Sequence, residues 1–145
     1  MDKGIYNLII NLPSERYIKV GKLGSFLFKN GYYIYTGSAK GGLKARIERH
    51  KRREKVIYWH IDYLLQDSTI LDVRVHTKES LTECRLNEMI FKVEGAELLI
   101  PGFGSSDCKC KSHLAYFKEF PKTTYGGEAG YSQGKDSTYL KATYL

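Results

Sequence analysis

Gly4-Ile5-Tyr6-Asn7-Leu8-Ile9-Ile10-Asn11-Leu12 is the stretch from which the fold can be read, because it predicts a β-strand. Alternation of side chains across a pleat puts Tyr6, Leu8, Ile10 and Leu12 on one face and Ile5, Asn7, Ile9 and Asn11 on the other. Working outward, Pro13-Ser14-Glu15 turns the chain, residues 17–20 predict a short strand, and Gly21-Lys22-Leu23-Gly24 turns it again into Ser25-Phe26-Leu27-Phe28. Asn30-Gly31 is a hairpin signal, since both central positions of a type I′ turn need positive φ. Tyr32-Tyr33-Ile34-Tyr35-Thr36 then runs back as a strand, so the first third predicts an antiparallel sheet.

Beyond it, the glycine-rich segment 37–42 opens a helix over residues 43–53. At 100° per residue Leu43, Ile47 and His50 fall on one face with Arg46 beside them, while Lys44, Glu48, Arg49 and Arg52 are expected to face solvent. VIYWHIDYLLQ, residues 56–66, predicts a second, largely buried helix. Leu71, Val73 and Val75 alternate with Asp72, Arg74 and His76, the pattern of a half-buried strand. A third helix is expected over 80–93, a Gly-, Ser- and Cys-rich loop over 101–111, and one more short helix over 113–120. These elements predict an α+β domain over residues 1–121, a small and mostly antiparallel sheet flanked by helices. Residues 122–145 read as a Gly/Tyr-rich flexible tail, whose last eight residues, TYLKATYL, suit a strand added to a sheet edge or a dimer arm.

The 145 residues are 42% apolar and 27% charged, which excludes a disordered polyelectrolyte and allows a packed core. No apolar run approaches the ~20 residues of a membrane helix, so no membrane partner is expected. Three cysteines, an odd number, argue against a secreted disulfide framework and for a reducing cytoplasm. The net charge of +7 is concentrated: residues 40–55 hold eight cations and two acids. A basic stripe of this kind suits a polyanion, with Lys40, Lys44, Arg49, Arg52 and Arg53 as the nucleic-acid-binding candidates. DNA is the expected partner, with RNA as the variant in which exposed tyrosines stack unpaired bases.

At this point the ordered set of motifs resembles a known family. Gly4-Ile5-Tyr6 and Tyr35-Thr36-Gly37 resemble the two halves of the GIY-YIG nuclease signature, and Arg46 and Glu83 stand where that superfamily carries its arginine and its metal-binding glutamate. VGKLG (20–24), YTGSA (35–39), WHIDYLL (59–65), TEC (82–84) and FGSSDCKCKSHL (103–114) are similar to a GIY-YIG-related, largely archaeal domain of unknown function, sometimes attached to endonuclease III. The resemblance implies a metal-dependent DNA endonuclease related to repair. In it Tyr6 is the general-base candidate, Tyr35 positions water or phosphate, Arg46 binds the scissile phosphate, and Glu83 holds Mg2+ or Mn2+. His50, four residues after Arg46, holds a phosphate or assists proton transfer. Two departures stand out: Tyr6 and Tyr35 lie 29 positions apart, as if a hairpin were inserted, and no late asparagine follows the third helix. Ser105, Ser106 and Asp107 are the substitutes to examine. The rival expectation is a non-catalytic nucleic-acid-binding module on the same scaffold.

Three residue-level readings remain open. Ser80-Leu81-Thr82-Glu83 fits a capping box, with Glu83 at N3 rather than in a metal site. Cys108-x-Cys110-x2-His113, with Cys84, offers four zinc ligands, although C-x-C is tighter than the usual C-x2–4-C and suits buried thiols holding a loop. His60 and His76 have no evident partners and are expected to serve packing and surface.

Overall fold

A computed structural model describes residues 3–122. Along them run β1 (Gly4–Leu12), β2 (Arg16–Val20), a 3-10 turn (Gly21–Leu23), β3 (Gly24–Phe28), β4 (Gly31–Ala39), α1 (Leu43–Lys51), α2 (His60–Leu65), β5 (Thr69–His76), α3 (Glu83–Phe91) and β6 (Leu114–Phe117). The expected α+β class is found. Four strands form an antiparallel sheet in the order β5-β1-β4-β6, while β2 and β3 pair only with each other.

An interior strand must be apolar on both faces, and β1 is. Tyr6, Leu8, Ile10 and Leu12 enter one core layer, with Ile18, Val20 and Phe28 of the hairpin, Leu43 and Ile47 of α1, and Ile61, Leu64 and Leu65 of α2. Ile5 and Ile9 enter the other, against Leu86 and Ile90 of α3 and Ala115 and Phe117 of β6. Asn7 survives in that second layer because its Nδ2 donates to Thr36 Oγ1 at 2.9 Å. The β2–β3 hairpin is therefore part of the core, since fully burying each of Val20 and Phe28 is worth about 1.5–3 kcal/mol.

Several expectations are corrected. Asn30-Gly31 does not close a hairpin: β3 is not paired with β4, and no described non-glycine residue has positive φ. Gly31 is there for approach instead, since a Cβ would lie 2.8 Å from Tyr116 Oη and 2.9 Å from the Phe117 carbonyl oxygen. Residues 114–117 form an edge strand, not a helix; a short run such as LAYF has no period by which to tell the two apart. In β5 the polar alternates Asp72, Arg74 and His76 are buried, whereas Leu71 is exposed. Asp72, Arg74 and His76 pair with Ile9, Asn7 and Ile5 on the face covered by the second core layer, and a register shift at Ile9/Ile10, where Ile70 pairs with Ile10, leaves Leu71 bulged out. Arg74 Nε then reaches Asp72 Oδ2 at 3.2 Å. The tail expected over 122–145 lies, from residue 123 onward, outside the described residues.

The second helix is shorter than expected, and Val56 and Tyr58 are 83% and 75% exposed. Asp62 explains this. Its Oδ2 accepts the backbone N–H of Tyr58 at 2.8 Å and of Trp59 at 2.9 Å, which holds the chain extended until His60. The fully buried carboxylate also takes both Arg49 Nη groups at 3.0 Å, so Arg49 faces α2 rather than solvent. Burial pushes the Asp62 carboxyl up, but the Arg49 hydrogen bonds and the two backbone N–H groups outweigh it and hold it below its ordinary value. Removing one partner of such a pair strands a buried charge, so Asp62→Ala is expected to cost about 3–5 kcal/mol in urea unfolding. A carboxyl depressed on folding stabilises above its unfolded pKa of about 3.9 and ceases to as pH falls through the lower folded value. Acid unfolding of Asp62→Asn should accordingly be shallower below about pH 4 than that of the native chain.

Candidate functional site

Tyr6 near the start of β1, Tyr35 and Ser38 near the end of β4, Arg46 on α1 and Glu83 on α3 line one cleft of about 470 Å3. Tyr58, Trp59, His60, Gly104, Ser106 and Asp107 complete it. Register explains part of the convergence: Tyr6 pairs with Gly37, and a Cβ on Gly37 would lie 2.7 Å from the Tyr6 hydroxyl oxygen. Only a residue without a side chain lets the Tyr6 ring cross β4.

His50 lies beneath the cleft, 2% exposed, with Nε2 2.7 Å from Tyr6 Oη. Burial, helped by Lys55, Arg46 and Arg49 and opposed by Asp62, pushes its pKa down to about 3, so the imidazole is neutral near pH 7. Burial likewise pushes the Tyr6 phenol above its ordinary value, against the pull of the nearby Arg46 guanidinium. The phenol therefore keeps its proton and donates it in a hydrogen bond to Nε2 in the tautomer of neutral His50 that is protonated at Nδ1. That tautomer carries its own proton on Nδ1, which has no hydrogen-bond partner among the described residues.

The two walls carry opposite charge. Arg46 Nη1 donates to the Ser38 carbonyl at 2.8 Å, and its guanidinium lies 4.5 Å from the Trp59 ring centroid. Arg49 lies at the same distance from Trp59, so the indole is flanked by both guanidiniums. Opposite, Glu83 Oε1 accepts from Ser38 Oγ at 2.7 Å and Oε2 from His113 Nδ1 at 2.9 Å. Burial raises the Glu83 carboxyl, but those hydrogen bonds outweigh it, and it stays ionised. The capping-box reading of Glu83 is overturned: Thr82 is the N-cap, its side chain accepts the N–H of Arg85, and Glu83 begins the helix.

Of the basic candidates, Lys40, Lys44, Arg52 and Arg53 are exposed and Arg49 is half-buried. Arg49 is committed to Asp62, and Arg53 donates to the Leu65 and Ser68 carbonyls at 2.8 and 3.0 Å. Cys84, Cys108, Cys110 and His113 form a cluster with donor atoms all within 4.8 Å of one another. His60 is not the partnerless residue expected, since its Nδ1 accepts the Gly104 N–H at 2.8 Å, and His76 is buried rather than on the surface. Tyr58, Trp59 and His60 were missed as cleft residues because VIYWHIDYLLQ, residues 56–66, reads as one buried helix throughout. The Asp62 side chain, three residues from Trp59, is the signal that pointed otherwise.

Fold and cleft together define a small α+β domain with a tyrosine floor between an arginine wall and a carboxylate wall. The family model described as Domain of unknown function DUF123 matches residues 5–127, and the chain belongs to that family. No curated protein and no solved structure matches it.

A histidine whose pKa is lowered on folding stabilises fully above its unfolded value of about 6.5 and loses that contribution as pH falls toward 3. Nitrogen-detected NMR should find the His50 ring neutral down to pH 5. A His50 midpoint near 6 would mean that the ring is solvated and the Tyr6 pairing broken.

Proposed function

We propose that the cleft binds and cleaves a phosphodiester, and that the protein is a metal-dependent DNA endonuclease of the GIY-YIG type. The observation that carries this reading is the convergence of Tyr6, Tyr35, Arg46 and Glu83, residues from four separate elements, on one cleft. Arg46 offers a planar fork to two phosphate oxygens. Tyr35 orients the attacking water. Tyr6 is the general-base candidate for the water's proton, its hydroxyl oriented by the contact at 2.7 Å with His50 Nε2. Glu83 fits a magnesium or manganese ion by its chemistry: an ionised, part-exposed carboxylate suits a hard cation that takes one or two carboxylates, waters and substrate phosphates. When bound, such an ion supplies positive charge to the pentavalent phosphorus centre. Ser106 and Asp107, at the cleft, take the place of the late asparagine.

Lys40, Lys44 and Arg52 extend the positive field beyond the cleft, and the exposed Tyr58 ring offers a stacking surface for a base. A DNA-repair role rests on the resemblance to domains attached to endonuclease III, and a cytoplasmic location on the free thiols. The rival reading, a binding module without catalysis, is favoured by one observation: both Tyr6 and His50 have pKa values displaced away from neutrality.

Plasmid nicking with magnesium or manganese, beside a chelator control, is the test. Wild type is expected to nick, and Glu83→Gln to slow it by about two orders of magnitude or more while leaving DNA affinity intact. Full activity in Glu83→Gln ends the metal role of this residue, and no nicking with any divalent ion leaves the binding module. Affinity followed by fluorescence anisotropy should fall with log salt at a slope of about −3 if Lys40, Lys44 and Arg52 each neutralise one phosphate. A flat salt response contradicts both readings.

A further inference from the structure

Outside the cleft, behind its carboxylate wall, three thiols and an imidazole converge. Cys84 comes from the second residue of α3, and Cys108, Cys110 and His113 come from the loop that leads into β6. Their four donor atoms lie within 4.8 Å of one another, and Cys108 Sγ is 3.3 Å from His113 Nε2. Four ligands tetrahedral about a zinc ion with Zn–S of 2.3 Å have sulfurs about 3.8 Å apart, so the cluster needs only small closing movements. None of the three cysteines is in a disulfide. The tight C-x-C spacing is no obstacle, because the remaining two ligands arrive from α3 and from His113.

We propose that Cys84, Cys108, Cys110 and His113 bind one structural zinc ion. The second shell is already in place. A zinc-bound histidine usually gives its other ring N–H to a carboxylate or a carbonyl, and His113 Nδ1 lies 2.9 Å from Glu83 Oε2 and 3.1 Å from the Thr36 carbonyl oxygen. Nδ1 is thus the protonated nitrogen, and Nε2, facing Cys108, is the ligand. The loop is held from both ends: His113 N–H donates to the Phe103 carbonyl, Gly102 N–H to that of Lys111, and Asn87 Nδ2 to that of Ser112. Three soft thiolates select zinc over magnesium, so the site is distinct in chemistry from the cleft carboxylate. Binding releases the thiol protons and fixes the loop against the first turn of α3, one residue from Glu83.

This inference does not rest on the nuclease reading. The full chain, purified under reducing conditions from zinc-supplied cells, is expected to carry about one zinc per chain by elemental analysis. Mercurial modification of its thiols should release that zinc to a chromogenic indicator. Cobalt in its place should give the intense visible bands of a tetrahedral thiolate site. Cys108→Ser with Cys110→Ser should abolish binding. Glu83→Gln, which removes the histidine's carboxylate partner but no ligand, should weaken zinc about 10- to 100-fold. Because the wild-type measurements need no variant, a double mutant that does not fold leaves the test standing. Wild type without zinc after reconstitution, or with two of these cysteines joined in a disulfide under the same conditions, overturns the proposal. A zinc-loaded chain that never nicks DNA retains this inference and removes the nuclease; a nicking chain without zinc does the reverse.

Discussion

The buried Asp62 carboxylate is the constraint on which the arrangement around the cleft depends. It receives four N–H donors, two from Arg49 and two from the backbone of Tyr58 and Trp59. A carboxylate taken wholly out of water is stable only when its lone pairs are met in this way. Meeting them fixes three things at once: the face that α1 turns to α2, the point where α2 begins, and the place of Trp59. Trp59 in turn lies against Arg46, which shares the cleft with Tyr6. One ion pair in the lower part of the core thus sets the position of the cation beside the tyrosine floor.

That floor shows how a short motif acts through geometry rather than through any one residue. Gly37 is needed because Tyr6 lies across it, and Tyr6 lies there because the antiparallel register sets the two opposite each other. The intervening residues do not disturb this. β2 and β3 pair with each other and fold back on the face that holds Tyr6, so the chain between the two tyrosines lengthens without moving β4 relative to β1. The 29 positions between the two tyrosines therefore leave the continuous register of β1 with β4 undisturbed.

The faces of β1 and the inward set Leu43, Ile47 and His50 of α1 were legible, because apolar period alone decides them. The ion pairs were not. Arg49 reads as a solvent-facing cation and Asp72 and Arg74 as the wet side of a strand, since charge predicts exposure unless a partner is known. Partners 13 residues apart, as Arg49 and Asp62 are, leave no periodic trace. The bulge at Leu71 was hidden for a related reason: register is a property of two strands together. In the cleft, residues tied to a recognisable motif were found, whereas Trp59 and His60 were masked by an apolar neighbourhood that resembles core.

Glu83 links the cleft to the thiol cluster. Its Oε1 faces Ser38 at the end of β4, and its Oε2 faces His113, whose far nitrogen looks toward the thiols. A carboxylate so held cannot swing, because moving either oxygen breaks a hydrogen bond to a rigid element. The cost of that rigidity is charge: a histidine proton on Oε2 withdraws part of the electron density that a hard cation would use. The zinc proposed at His113 eases this conflict. A neutral imidazole bound through Nε2 shares its Nδ1 proton with Glu83, while an imidazolium would bring a full positive charge and leave Nε2 unable to bind metal. Soft and hard donors are separated by the width of one ring, so the zinc proposed here and the magnesium proposed at Glu83 would draw on different ligands.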